Sequence, residues 1–215
     1  MFKKLKFLLG FTKQPIVNAW PYILLNKDKI YIGGSVHKGK PTFQGKSVRF
    51  RQRLVAKTDY CVSHVFIIVY DKFIGRWLVL ESAGQGTHGI LLKKFLKTHE
   101  ITFLSEQKGV VNQLLSDFFD YYSGRAYGYF SGIANIAFDT LAIPFRFKKT
   151  GAYICSELVL ELNLHFGGDA KYDLIKNYVG DRDHDLITPL DIIEIEKILT
   201  EQSLSKIILS NEQTR

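Results

Sequence analysis

Residues 60–70 of this 215-residue chain are mostly β-branched, aromatic or aliphatic, and they constrain the fold more than any other stretch. This composition over this length is typical of a β-strand. Successive side chains of a strand point to opposite faces, so a strand that is apolar on both faces must be covered on both sides. The chain therefore has to build a sheet with further structure packed on each face.

The segments around this strand predict a small antiparallel sheet with helices. Residues 76–82 read as a second strand, and residues 71–75 as the turn of the hairpin that joins the two. The glycine-containing stretch at 83–89 predicts a flexible loop. Further elements are predicted as a strand at 29–32 ended by a turn at Gly33 and Gly34, strands at 90–92 and 101–104, and helices at 110–122, from Cys155 onward and after Thr188 and Pro189. We therefore expect an α+β fold in which the helix that begins at Cys155 packs on the sheet.

The composition fits one globular domain. Hydrophobic residues make up 46% of the chain, which is enough apolar material for a core. We place the domain at residues 28–199, after a basic and apolar extension at 1–27 and before a loose tail at 200–215. The chain has two cysteines, which do not make a disulfide framework.

The net charge of +8 is concentrated at residues 1–53 and 146–149. A basic surface favours acidic partners, such as an anionic polymer or a membrane surface that contacts the N-terminal region. No nucleic-acid-binding signature is present. The apolar run at 7–11 is too short for a secretory signal, and no stretch reaches the ~20 apolar residues of a membrane span. We therefore expect a cytoplasmic protein unless another route delivers it.

Cys155 is the candidate nucleophile. It precedes an apolar helical run at 158–162, and the first turn of a helix presents unpaired N–H groups and the positive end of the helix dipole. Both favour the thiolate, which is the reactive form of cysteine. The other cysteine, Cys61, lies in the strand at 60–70, where packing is the simpler interpretation.

His64 and Glu81 are ionisable residues in two strands that otherwise look buried. If the hairpin loop is 71–74, Tyr70 pairs with Gly75, and His64 then lies directly opposite Glu81. Cross-strand neighbours have Cβ atoms about 5 Å apart, so the carboxylate is close enough to orient the imidazole.

One alternative register changes this pairing. A loop one residue longer places Ser82 opposite His64 and turns Glu81 to the other face of the sheet. His88, in the glycine-rich stretch, is the alternative third residue of the site.

A cysteine, a histidine and a carboxylate together activate a thiol, because the imidazole holds the thiol proton and the carboxylate fixes the imidazole. The backbone N–H of Cys155 is a natural oxyanion donor. The further candidates for oxyanion or substrate contacts are Tyr127, Tyr129, Tyr153 and Ser156. No metal-ligand spacing of His or Cys is present, and this chemistry needs no cofactor. The histidines expected on the surface are His37, His99, His165 and His184.

Four motifs follow one another along the chain. They are Ser-His-Val at 63–65, Val-Leu-Glu-Ser-Ala at 79–83, Tyr-Ile-Cys-Ser-Glu-Leu-Val at 153–159 and Ile-Thr-Pro-Leu-Asp-Ile at 187–192. In this order they resemble the circularly permuted papain-like cysteine hydrolases, which comprise the permuted NlpC-type amidases and lecithin–retinol acyltransferase-like relatives. The resemblance covers about residues 28–195.

The resemblance implies that Cys155 is the nucleophile, His64 the base and Glu81 the third residue of a thiol hydrolase. It favours cleavage of an amide or peptide bond, with peptidoglycan among the family's substrates. The second hypothesis is lipid or ester acyl hydrolysis or acyl transfer, with the apolar region at 129–147 lining a lipid groove. The third hypothesis is a non-enzymatic module that docks in a larger assembly through its N-terminal segment.

Overall fold

The computed structural model describes residues 25–39, 62–107, 109–128, 152–166, 168–180 and 187–199, and within them the protein is α+β, as predicted. Five strands form an antiparallel sheet in the order β4-β3-β2-β1-β5. Their bounds are Ile30–His37 for β1, His64–Asp71 for β2, Arg76–Ala83 for β3, Gly86–Leu91 for β4 and His99–Gln107 for β5. Two short strands, β6 (Ala126–Tyr127) and β7 (Ala152–Tyr153), pair in parallel.

The helices pack around this sheet. They are α1 (Leu92–Thr98), α2 (Val111–Asp117), α3 (Cys155–Phe166), α4 (Gly168–Val179) and α5 (189–199), and a π-helical turn at Phe118–Tyr122 continues α2. The predicted helices at 110–122, from Cys155 onward and after Thr188 are thereby confirmed. No helix in the described ranges is long and apolar enough to cross a bilayer.

Some predictions fall outside the described residues. These concern residues 1–24 of the N-terminal extension, the segments 40–61 and 129–150, the loop at 181–186 and the tail from residue 200. Cys61, Tyr129 and His184 are among the residues in those segments.

Strand β2 is covered on both faces, as its composition predicts. Val65, Ile67 and Val69 join a core that includes α2, α3, α4 and α5. Phe66 and Ile68 point to the other face, into a second core that includes Leu92 and Phe95 of α1. The even-numbered positions of β2, beginning with His64, therefore belong to the face that α1 covers.

The predicted turn at Gly33 and Gly34 is wrong, because β1 continues through both glycines to His37. A Cβ atom on Gly33 would lie 2.3 Å from Cε2 of Phe66, and one on Gly34 would lie 2.9 Å from Cγ1 of Val62. These glycines thus make room for neighbouring side chains and do not end the strand.

The predicted loop at 83–89 is also wrong in its extent, since β4 already begins at Gly86 and includes His88. Gly86 has φ +98°, and a Cβ atom there would lie 2.5 Å from the carbonyl oxygen of Arg125. The glycines of this stretch therefore serve a tight turn and a close backbone approach.

The hairpin register differs from the prediction by two residues. Asp71 pairs with Arg76, and Ile67 pairs with Leu80, so the turn is 72–75 and not 71–74. Because side chains alternate with a period of two, this shift keeps Glu81 on the predicted face. It moves Glu81 along the strand from directly opposite His64 to a diagonal position.

A buried carboxylate on α5 ties this helix to α3 and β5. One carboxylate oxygen of Glu196 accepts a hydrogen bond from Asn163 Nδ2 at 3.1 Å. The other accepts from Ser105 Oγ at 3.0 Å and from the side-chain amide of Gln107. These contacts join α5 and β5 to α3, the helix that carries Cys155.

Candidate active site

Cys155 is the first residue of α3, and its neighbours fix the start of this helix. The N–H of Leu158 donates to the carbonyl of Ile154 at 3.1 Å, and Glu157 Oε2 accepts from the N–H of Ile154 at 3.5 Å. The Ser156 hydroxyl donates to the carbonyl of Ile187 at 2.5 Å, which attaches the helix start to the segment before α5. This hydroxyl uses its proton in the fold, so it is not an oxyanion donor.

His64 is the first residue of β2, where the amino end of α3 approaches the sheet. Its Nε2 lies 2.6 Å from Glu81 Oε2, which confirms the predicted contact between these two residues. The His64 imidazole and the Cys155 thiol also lie close enough for each to shift the pKa of the other towards its ionised form. Because Nε2 is engaged by Glu81, Nδ1 is the ring nitrogen left to serve the sulfur. The structure thus brings together the three residues expected from the sequence.

The diagonal position of Glu81 is compatible with this contact. Diagonal neighbours on adjacent strands are about 7–8 Å apart, which lies within reach of a long side chain. The two-residue register shift therefore changes how Glu81 reaches His64 and leaves the pairing of the groups intact.

The charged forms of Cys155, His64 and Glu81 stabilise one another. Burial alone lowers the pKa of His64, but hydrogen bonds and charges from Cys155 and Glu81 outweigh it and raise this pKa to about 10. Burial raises the pKa of Cys155, whereas His64 and the backbone N–H groups of Val65 and Ser156 lower it below its ordinary value. Burial likewise raises the pKa of Glu81, but His64 and His88 hold it well below the usual range. These effects favour a thiolate, an imidazolium and a carboxylate.

His88 belongs to the site although the sequence interpretation placed it in a loop. It pairs with Glu81 across β3 and β4, and its Nε2 lies 3.4 Å from Glu81 Oε1. It therefore does not replace Glu81 as the partner of His64. Both histidines contact the same carboxylate.

Aromatic rings surround the imidazole of His64. Its ring centroid lies 6.0 Å from that of Phe66, 6.3 Å from that of Phe95 and 5.8 Å from that of His99. His99 itself stacks on Phe95 at 4.3 Å with an interplanar angle of 8°. These rings restrict the orientation of the imidazole.

The expectation that His37 and His99 are surface residues is wrong, because both are half-buried and pack against each other at 5.2 Å. Burial lowers the pKa of His99 to about 4, and the charge of His64 acts in the same direction. His99 is therefore neutral beside the imidazolium. The pairing of His37 with His99 across β1 and β5 places them here, and the sequence has no local signal for that pairing.

The tyrosines proposed as oxyanion donors lie close to the start of α3. Tyr127 and Tyr153 are half-buried partners in the β6–β7 pair. The carbonyl of Tyr153 accepts a hydrogen bond from Ser82 Oγ at 2.7 Å, and its ring packs edge-on against Tyr122 at 5.6 Å. The backbone N–H of Cys155, at the first turn of α3, stays the best-placed oxyanion donor. Within the described ranges, no group of three His, Cys, Asp or Glu residues is arranged to hold a metal ion.

Comparisons of the chain with protein-family models, with curated proteins and with solved structures find no match. The arrangement of Cys155, His64 and Glu81 is therefore the ground on which a function is inferred.

Proposed function

We propose that the protein is a thiol hydrolase that cleaves an amide or peptide bond through an acyl-enzyme on Cys155, and that its fold is a permuted papain-like one. The observation that carries the proposal is the His64–Glu81 contact at 2.6 Å beside Cys155, whose pKa His64 lowers. A buried thiolate with an imidazolium partner at a helix start is the usual form of an activated cysteine nucleophile.

The reaction follows from the positions of the protons. The Cys155 thiolate attacks the carbonyl carbon, a C–S bond forms, and the N–H of Cys155 stabilises the developing oxyanion. The Nδ1 proton of His64 passes to the leaving nitrogen as the C–N bond breaks. Neutral His64 then takes a proton from water, which attacks the thioester, and the C–S bond breaks to release the acid and the thiolate. Glu81 keeps a proton on Nε2 throughout, so Nδ1 is always the nitrogen that exchanges protons.

The outer edge of β4 favours an extended peptide as substrate. This strand is at one end of the sheet, and Thr87 bonds outward to the backbone of residues 124 and 125. Backbone groups two residues apart point to the same side of a strand, so those of Gly89 also point outward. An extended peptide can add to such an edge by main-chain hydrogen bonds, one residue beyond His88.

A role without catalysis is less consistent with this arrangement. Burying ionised groups costs several kcal/mol per ion unless each one is paired, and apolar side chains of similar volume usually stabilise a core at least as well. The side chains of His64 and Glu81 are only 12% and 6% exposed, so the site is of this costly kind. Such a site is better explained by chemistry than by structural support.

An acyl lipid or ester is the second candidate substrate. Leu91 is 45% exposed and Phe119 is 47% exposed, and the ring of Phe119 borders Gly89 of β4. This apolar surface beside the strand would accommodate an acyl chain. The same thiolate chemistry cleaves an ester, so the substrate screen must include both classes.

The experiment compares the wild-type protein with Cys155→Ala on peptides, muropeptides and lipid esters. We expect release of a new amine from a peptide-type substrate by the wild-type protein, a thioester on Cys155 in quenched samples, and neither with the variant. Release of fatty acid alone would select the second candidate. Turnover retained in Cys155→Ala would remove the nucleophile assignment. Equal labelling of Cys61 and Cys155 by iodoacetamide near neutral pH would contradict an activated thiolate.

A further inference from the structure

We propose that His88 is a positioning residue of this site and that it holds Glu81 in place as a doubly protonated imidazolium. The inference deepens the proposed function and rests on it, since Glu81 matters here as the partner of His64. It concerns how the Glu81 carboxylate is kept ionised and oriented towards His64.

The contacts of Glu81 divide between two histidines. Oε2 lies 2.6 Å from Nε2 of His64, and Oε1 lies 3.4 Å from Nε2 of His88. Each carboxylate oxygen thus has its own cationic partner. A carboxylate that is held at both oxygens cannot rotate away from His64 without breaking the second contact.

The second contact of His88 indicates how many protons its imidazole carries. Nδ1 of His88 lies 2.9 Å from the carbonyl oxygen of Gly86. A carbonyl oxygen only accepts, and so does an ionised carboxylate, so an imidazole with an N–H on each ring nitrogen is the form that suits both contacts. A neutral imidazole carries one N–H and satisfies one of these acceptors, whereas the imidazolium satisfies both.

The charge balance of the site leads to the same conclusion. Cys155 and Glu81 are negative and His64 is positive, which leaves a net charge of −1 in a largely buried place. A proton on His88 brings the four groups to neutrality. An uncompensated buried charge is strongly unfavourable, so the fourth group contributes to keeping the other three ionised.

The backbone around His88 is held in place. The N–H of Thr87 donates to the carbonyl of Arg125 at 2.8 Å, and Thr87 Oγ1 donates to Ser82 Oγ at 3.1 Å. The Ser82 hydroxyl in turn donates to the carbonyl of Tyr153, two residues before Cys155. The strand that carries His88 is therefore tied to the segment that leads into the nucleophile.

The surroundings of His88 favour its protonated form. The hydrogen bond to Glu81 raises the pKa of His88, burial opposes it, and the contact with Gly86 adds to the rise, while His64 repels the charge. The other ionisable groups on β3, α1, β6 and β7, the elements packed against β4, are Arg76, Lys93, Lys94, Lys97, Tyr127 and Tyr153. Arg76 and the three lysines are exposed, and the tyrosines are half-buried.

The first test separates the charge of His88 from its volume. Alkylation of Cys155 by iodoacetamide is followed from pH 3 to 8 by peptide mapping, which gives the midpoint at which the thiolate is lost. His88→Phe keeps the ring and removes the charge. We expect its midpoint to rise by about one pH unit, because the charge of Glu81 is then uncompensated and disfavours the thiolate, and a neighbouring charge shifts a pKa by about that much or more. His88→Lys restores a cation, and we expect at least half of the shift to be recovered.

Lys94→Gln serves as the control, because it removes an exposed cation from α1, and its midpoint should equal that of the wild-type protein. An unchanged midpoint in His88→Phe would overturn the proposal, and so would a His88→Lys profile that matches His88→Phe. Thermal unfolding of each variant shows that the fold is retained.

The second test needs no variant. Imidazole ¹H–¹⁵N spectra of the wild-type protein at pH 7 should show protons on both ring nitrogens of His88, and a neutral tautomer would overturn the inference. If Cys155 alkylates like an ordinary thiol, the proposed function fails, and this spectrum still decides the state of His88.

Discussion

At the residue scale, every ionised group of the site has an oppositely charged neighbour. Glu81 lies between His64 and His88, and His64 lies between Glu81 and Cys155. In a buried site each charge is stable only while its partner is present. Removing one charge should therefore change the proton occupancy of the others before it changes the fold.

Glu81→Gln tests this coupling. The amide retains the shape of the side chain and an oxygen that accepts from His64, but it has no charge to stabilise the imidazolium. We expect kcat/KM for the peptide-type substrate to fall on the order of 10²- to 10⁴-fold, the usual contribution of a positioned acid or base. The extent of Cys155 alkylation at neutral pH should also fall, because a less basic His64 leaves less of the pair as thiolate and imidazolium.

Glu106→Gln is the matched control for that measurement. Glu106 is an exposed residue that pairs with Lys29 at 3.2 Å. Its loss should leave both kcat/KM and the alkylation of Cys155 unchanged. A Glu81→Gln variant that retains activity within about twofold would show that His64 needs no carboxylate.

The identities of the site residues could be predicted from the sequence, but not all of their neighbours. Cys155, His64 and Glu81 each stand out as a polar residue in an apolar segment or at a helix start. His99 gives no such signal, because its place beside His64 depends on the pairing of β1 with β5. His88 was a candidate, but its role as a second partner of Glu81 depends on the β3–β4 register.

At the element scale, the glycines of β1 connect the backbone to the site. The ring of Phe66 occupies the space where Gly33 has no side chain, and the same ring borders the imidazole of His64. The position of His64 therefore depends on a glycine in the neighbouring strand.

Gly33→Ala should show this dependence. Its Cβ atom would lie 2.3 Å from Cε2 of Phe66, which is fully buried and has no open space to move into. We expect a loss of about 1–3 kcal/mol in the free energy of unfolding, as for other overpacked cores, measured by urea denaturation. Alkylation of Cys155 should also slow, because a displaced Phe66 no longer supports His64.

Phe66→Leu provides the partner for a double-mutant cycle. Leucine is shorter than phenylalanine, so the double variant should be more stable than the sum of the two single changes predicts. Strict additivity would show that Gly33 and Phe66 do not compete for the same space.

The sequence predicts those elements correctly that are specified by residues close together in the chain. The apolar composition of β2, the helical spacing after Val110, and Thr188 followed by Pro189 at the start of α5 all correspond to observed elements. Asp191 accepts from the N–H and hydroxyl of Thr188 at 2.8 and 2.6 Å, which is a capping arrangement that involves only neighbouring residues.

The errors at this scale occurred where distant residues decide the structure. The sequence predicts a turn at Gly33 and Gly34, but side chains from β2 and from the segment before it occupy the space beside these glycines. It predicts a loop at 83–89, but Gly86 is required by the close approach of the Arg125 carbonyl. The hairpin register was wrong by two residues, since nothing local fixes the length of the turn.

At the scale of the whole molecule, the site links the stability of the fold to pH. The folded pair of Cys155 and His64 holds one proton, on the imidazole, from neutral to mildly alkaline pH. In the unfolded chain the same proton is on the thiol between the ordinary pKa values of 6.5 for histidine and 9.0 for cysteine. Folding thus moves this proton without binding or releasing one, and the pair adds no pH dependence in that range.

Outside that range, the pH dependence of the free energy of unfolding follows from the directions of the pKa shifts. The raised pKa of His64 gives stability that is complete below pH 6.5 and is lost as the pH rises through about 10. The lowered pKa of Cys155 gives stability that is present above pH 9 and is lost as the pH falls. The two slopes cancel between these limits, so the contribution of the pair to the free energy of unfolding should fall above pH 9 and below pH 6.5. His88, with its raised pKa, adds a decline as the pH rises above 6.5.

Two further groups make the loss of stability at acid pH steeper. His99, with its pKa lowered to about 4, removes stability as the pH falls from 6.5 towards 4, because the unfolded chain takes up a proton that the folded chain does not. Glu81 adds to this loss below its ordinary pKa of 4.5. Stability should therefore decline more steeply on the acid side than on the alkaline side.

Urea unfolding at half-unit steps from pH 4 to 10 measures this profile, and Cys155→Ala identifies its origin. Without the thiol, the unfolded chain has no thiol at position 155 to ionise near pH 9, and His64 loses the largest of the causes that raise its pKa. The decline in stability above pH 9 should therefore be smaller in the variant than in the wild-type protein. A variant that keeps the full wild-type decline above pH 9 would show that the Cys155 thiolate does not hold the proton of His64 in the folded protein.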